Sequence, residues 1–237
     1  MNSRVLAISW GLVLLTGCFQ AKDLTPDQVQ AVISARVGIE QIATTAMNGL
    51  NAQIPPRSMS HLTARTKTNL NDTCHLGRGQ YLFSISATSP SFSMAFDHCA
   101  DAAGNILDGT VNGTFTQQDK HYSAAMTGNL TLTQAKQTIR FEPINLVLAL
   151  GPDQRSFYLS HDGTYHYDSR NFRGPVTVNT VQPVGVNLAT LARSGQEHYR
   201  DESGNDLTVE HNNNGVQLYF NGIIIQSYSA EQWSGGS

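Results

Sequence analysis

QYLFSISATSPSFSMAFDHC, residues 80–99, reads as two strands laid back to back. Tyr81, Phe83 and Ile85 alternate with Leu82, Ser84 and Ser86, and Phe92, Met94 and Phe96 alternate with Ser91, Ser93 and Ala95. A period of two puts each apolar set on one face of an extended chain, and Ser89-Pro90 between the runs marks a turn. The stretch therefore predicts a hairpin. Cys74 precedes it and Cys99 closes it, so pairing the strands brings both cysteines to the open end.

Downstream the same period persists. Strands are predicted at Ile106 to Gln117, Ser123 to Thr133, Thr138 to Leu150, Ser156 to Ser160, Gly163 to Tyr167 and Val176 to Val181. Gln118-Asp119-Lys120, Gln134-Ala135-Lys136, Gly151-Pro152-Asp153, His161-Asp162-Gly163 and residues 168–174 break them. Gly109, Gly113 and Gly128 inside strands predict bulges or bends, the means by which a long sheet curls. After Val181-Gln182-Pro183, four shorter strands around His198–Arg200, Leu207–Glu210, Val216–Phe220 and Ile223–Tyr228 predict a hairpin block over 183–237, ending in a tail anchored by Trp233.

Upstream the period changes. Thr25-Pro26-Asp27-Gln28 carries a helix start, with Thr25 as cap, Pro26 at the first helical position and Gln28 completing a capping box. The stripe Val29, Val32, Ala35, Ile39, Ile42, Ala43, Ala46 and Leu50 has helical spacing and ends near Gly49, before Pro55-Pro56. Arg36 is its one basic residue, too few for a helix lying on a membrane surface. The expected fold is mainly β: a long antiparallel sheet, curved as far as a half-barrel, with one N-terminal helix packed on it over 25–182 and the hairpin block following.

Composition excludes some functions. The formal charge of the 237 residues is -3, and charged residues make up 14% of the chain, which argues against nucleic acid, whose binding leans on Lys and Arg contacts to phosphate. At the other end of the chain, Arg4 precedes an apolar run, Val5 to Leu15, too short to span a bilayer as a helix. Leu15-Thr16-Gly17-Cys18 then resembles the lipobox of a bacterial lipoprotein signal.

The resemblance implies cleavage after Gly17, removing 1–17, with a lipid on the Cys18 sulfur and residues 18–24 left as a tether. Several acyl chains anchor stably where one holds only marginally. Phe19 after the cysteine, rather than Asp, implies the outer membrane, with the body facing the periplasm. With Cys18 lipidated, Cys74 and Cys99 remain as an even pair in an oxidising compartment, expected to form a disulfide. Cys74, the strand ending Phe96-Asp97-His98-Cys99, the Asn-Gly-Thr strands and the Ser194-Gly195-Gln196 hairpins resemble Gram-negative lipoproteins of β-meander type. That resemblance carries no activity.

Catalytic signatures are missing. There is no Gly-x-Ser-x-Gly elbow, His-Glu-x-x-His, phosphate loop or dinucleotide fingerprint, and no cofactor is expected. Ser160-His161-Asp162 has the residue types of a hydrolase triad, but neighbours on a strand point to opposite faces. No two of the eight histidines have the i, i+2 spacing that puts two imidazoles on one strand face, so they read as exposed polar residues and no metal is expected. Asp201, Ser203 and Asn205 copy the opening of a calcium loop, but Asp206 stands where its glycine should be, leaving an ordinary turn.

The candidate ligand or partner surface is aromatic: Tyr158, Tyr165 and Tyr167, with Tyr219, Phe220, Tyr228 and Trp233, although alternating aromatics also build cores. The expected role is a lipid-anchored envelope protein without catalytic activity that binds a partner protein or an amphiphile. The alternatives are a periplasmic hydrolase or metal-dependent enzyme using His161, His166 and Asp162, and a structural envelope component.

Overall fold

Period-two patterning dominates the chain, and in the computed structural model it becomes one sheet. The structure describes residues 23–36, 39, 42, 65–69, 74–84, 91–118, 121–151, 156–170, 172–187, 193–229 and 232–233. The leader, Cys18, and the helical positions Ala43, Ala46 and Leu50 lie outside them. A 3-10 turn, Pro26–Gln28, leads into α1 (Val29–Ile33), and twelve strands follow: β1 (Arg65–Asn69), β2 (Leu76–Ser84), β3 (Ser91–Ala100), β4 (Ile106–Gln118), β5 (His121–Gln134), β6 (Gln137–Leu150), β7 (Ser156–Ser169), β8 (Arg173–Asn187), β9 (Arg193–Asp201), β10 (Asp206–Asn212), β11 (Gly215–Phe220) and β12 (Ile223–Ser229). Each strand pairs antiparallel with its sequence neighbour, in the order β1 to β12, and the sheet is open.

One face of this sheet is dry. From β3 to β11 alternate residues are buried, among them Met94, Val111, Leu132, Phe141, Tyr167, Val178, Tyr199 and Leu218. These nine strands, spaced about 4.8 Å apart, span roughly 40 Å if flat, far wider than the ~10 Å of a helix. Burial from β3 to β11 therefore requires the sheet to curl around α1. Breaks in the ladder supply the curl, with register shifts between β2 and β3, β3 and β4, and every successive pair from β5 to β9.

The glycine expectations divide. Gly109, at φ +121°, and Gly128 sit beside register shifts, where a Cβ would come within 2.3 Å and 2.1 Å of carbonyl oxygens on the facing strand. Gly113 marks no bulge, because its pairing with β3 and β5 runs without interruption. Its missing side chain leaves room for the ring of its cross-strand partner Phe92, whose Cζ lies 2.3 Å from where a Cβ would be. That ring stacks on Phe115 with centroids 4.5 Å apart.

One expected turn is not a turn. His161-Asp162-Gly163 lies inside β7, where the ladder to β8 slips between Leu159 and Gly163, so the two strands expected there are one. The boundary expected at 182/183 falls inside β8, and β9 to β12 continue the same sheet.

The helix forms where the cap residues place it. The Gln28 side chain accepts the Thr25 N–H at 3.0 Å, and Ser34 marks a turn after α1, with helical conformation described again at Ala35, Arg36, Ile39 and Ile42. Val29, Val32, Ala35, Ile39 and Ile42, five positions of the expected stripe, are at most 2% exposed. Gln137 on β6 donates to the Ala31 carbonyl, and the Tyr167 hydroxyl donates to that of Val32 at 2.8 Å.

Cys74, just ahead of β2, and Cys99 on β3 lie at disulfide distance, with sulfurs 1.99 Å and Cα atoms 5.0 Å apart. Cross-linking a loop of this length constrains the unfolded chain. Cys74→Ala is expected to lower stability by about 3 kcal/mol by urea unfolding, with a larger m-value because the freed unfolded chain exposes more surface.

Candidate functional site

Polar chemistry concentrates where helix meets sheet. Arg36 falls four residues after Val32 and three before Ile39, so helical spacing turns it toward the core, where it is 4% exposed. On β9 the period of two sends Glu197 inward with Tyr199, and neither is accessible to water. Arg36 Nη1 meets Glu197 Oε2 at 2.9 Å, and the other carboxylate oxygen lies 2.6 Å from His161 Nε2 on β7.

The network extends further. His161 Nδ1 lies 2.6 Å from the Tyr165 hydroxyl, and His211 Nε2 on β10 sits 2.5 Å from Arg36 Nη1 and 3.4 Å from Glu197 Oε2. Trp233 covers the cluster, its ring 5.9 Å from the guanidinium carbon and edge-on to His211 and Tyr228.

Burial alone would raise the Glu197 carboxyl. Arg36, then His161 and His211, outweigh it and hold the group well below the usual carboxylate range. For His211, burial and behind it the Arg36 charge pull the imidazole down to about 4. Burial also raises the Tyr165, Tyr167 and Tyr199 hydroxyls well above their ordinary value, so these act as neutral groups. The histidines at 161 and 211 are thus core residues, not the exposed surface groups their scatter suggested. With every member enclosed, the cluster positions the helix and offers no surface to a substrate.

The expected site residues scatter. Asp162 points away from His161, accepting hydrogen bonds from the Thr180 N–H at 2.9 Å and the Asn179 amide at 3.1 Å, so no triad forms. Tyr165 and Tyr167 are core, whereas Tyr158 is 39% exposed, so these three do not share a surface. Tyr228 joins Trp233 over the helix, and Gln30 donates to its hydroxyl. Tyr219 bonds Gln217 in its own strand, and Phe220 is half-buried.

Asp201 begins an ordinary turn rather than a cation loop. Its carboxylate accepts from the Asn205 backbone and side-chain amides, both at 2.9 Å, and from the Leu24 N–H at 2.6 Å. Burial works to raise this carboxyl, but those hydrogen bonds prevail and lower it. The turn Asp101–Asn105 repeats the sequence Asp-x-x-Gly-Asn and the same internal bonds. Separately, Asp97, His98 and Asp108 each bring a ligand atom within 4.8 Å of the others, a grouping unforeseen from their spacing; hydrogen bonds within the trio account for the approach.

An open recess of about 750 Å³ lies over the middle of β3 to β6. One register row in its lining runs Ser93, Asn112, Thr127 and Asn145, and another runs Ser91, Thr114, Ala125 and Val147, with Phe92, Gly113, Met126 and Leu146 between them. No family model, curated protein or solved structure matches the chain.

Removing one partner of a buried ion pair leaves the other charged and unsolvated. Arg36→Met is expected to cost about 3 to 5 kcal/mol, and Arg36→Met with Glu197→Leu to restore much of that, both measured by urea unfolding. The cluster also sets a pH dependence. Between about 6.5 and 4 the unfolded chain takes up a proton at position 211 that the folded state refuses, so stability falls with pH by up to about 3 kcal/mol over that window. Below it, the lowered Glu197 carboxyl loses its contribution as it protonates. His211→Asn should flatten the upper part of the profile only.

Proposed function

We propose that this chain is a lipid-anchored envelope protein, held to the outer membrane through Cys18 with its body in the periplasm, that binds an amphiphile and performs no catalysis of its own. The observation that carries this reading is the two-sided lining of the β3–β6 recess. Polar Ser93, Asn112, Thr127 and Asn145 make one row, and the other joins Ser91 and Thr114 to Ala125 and Val147, the latter 47% exposed. A volume of about 750 Å³ lies within the 300–1,000 Å³ usual for small-molecule sites. An apolar patch at Ala125 and Val147, with hydroxyl and amide groups around it, matches a ligand that has both an apolar chain and a polar head.

The absence of catalysis is supported by where the reactive groups lie. His161, His211 and Glu197 are enclosed together with Arg36, and none of them lines this recess. Full-length protein extracted from membranes should carry a bound amphiphile by native mass spectrometry. It should also bind a fluorescent fatty acid, and Val147→Glu should weaken that binding about tenfold or more. A protein that emerges without ligand and ignores the probe would remove the proposal.

A further inference from the structure

All the turns of one parity share a rim. Leu76 pairs with Ala100, Ile106 with Thr133, Gln137 with Ser169, Asp168 with Arg173, Val176 with Asp201, Asp206 with Arg200, and Phe220 with Ile223. The turns between β3 and β4, β5 and β6, β7 and β8, β9 and β10, and β11 and β12 therefore stand at the same end of the strands. The last two are joined directly, since the Asn221 N–H donates to the Asp206 carbonyl at 2.8 Å and Asn221 Oδ1 accepts the Asp206 N–H at 2.9 Å.

The N-terminal segment is fastened to this rim. Leu24 donates to Asp201, and the Ser203 hydroxyl donates to Asp23 at 2.5 Å. Five peptide steps separate Asp23 from Cys18, a reach of about 18 Å at full extension. The three most exposed large apolar side chains described lie on the same rim: Leu76 and Ile223 at 70% and Ile224 at 54%. Charge there leans acidic, with Lys136, Arg170, Arg173 and Arg200 against Asp23, Asp101, Asp168, Asp201, Glu202 and Asp206, so the rim is no polybasic patch.

We infer that this rim is a bilayer-docking surface, with Leu76, Ile223 and Ile224 entering the interface beside the acyl chains on Cys18. The inference rests on the anchoring proposed above, because the short tether is what brings the rim to the membrane. It fixes the orientation of the body: strands rise from the membrane, and the opposite rim with the Asn213-Asn214 turn points away.

Tryptophan reports the contact. Full-length protein carrying Leu76→Trp, Ile223→Trp or Ile224→Trp is reconstituted into phosphatidylethanolamine and phosphatidylcholine vesicles with brominated acyl chains. The comparison is Val181→Trp, an exposed mid-sheet position about 17 Å up the strand from Val176. Emission from the three rim tryptophans should be lost to quenching, while that of Val181→Trp persists once the unsubstituted protein's signal is subtracted. Peptide mass spectrometry on the same samples reads acylation of Cys18.

Acylated protein with no more quenching at the rim than at position 181 overturns the docking surface and leaves the anchor standing. Unacylated protein whose rim is still quenched refutes the anchor and upholds docking. Loss of both refutes both.

Discussion

A guanidinium and a carboxylate taken out of water organise this protein. Alone, either charge would be ruinous in a core of leucine, isoleucine and tyrosine, so Arg36 can enter only where Glu197 waits, and Glu197 can stay ionised only with Arg36 beside it. Apolar side chains of the helix would tolerate small slides along a greasy sheet. The ion pair does not, because its energy depends on contact at 2.9 Å. His161 and His211 close the remaining approaches to the carboxylate, and Trp233 covers the guanidinium. In this sense a polar cluster of doubtful net stability still specifies a single helix placement.

How much of this could be read from the chain depends on which residues obey the period. Strands announced themselves because apolar residues fall at every second position, and the disulfide pair because a hairpin must bring Cys74 beside Cys99. The helix was legible from Thr25-Pro26 and from Val29, Val32, Ala35, Ile39 and Ile42. Arg36 and Glu197 were not, although both obey the same periods, since a charge on an apolar stripe reads as an exception until its partner is known. Pairing across 161 positions is a tertiary fact. His161 was hidden for another reason, because beside Asp162-Gly163 it looked like part of a turn, and only the ladder with β8 reveals a bulge within one strand.

The recess and the rim show opposite kinds of legibility. No local pattern marks the recess, which arises from four strands in one particular alignment. The rim follows from strand order alone: in a meander every second turn must return to the same end, so fixing one position near Asp201 fixes five turns together.

That strand order also shapes how the molecule comes into being. Each strand needs only its predecessor, so the sheet can lengthen one hairpin at a time with local contacts, a fast route for a β protein. The helix cannot follow that schedule. It is made first, yet Arg36 meets His211 across 175 residues and Leu24 meets Asp201 across 177. Until β9 and β10 are synthesised, Val32, Ile39 and Ile42 have no complete cover, and the nascent chain presents a greasy segment that other chains could capture. A protein assembled in this order completes its core only when its last strands arrive.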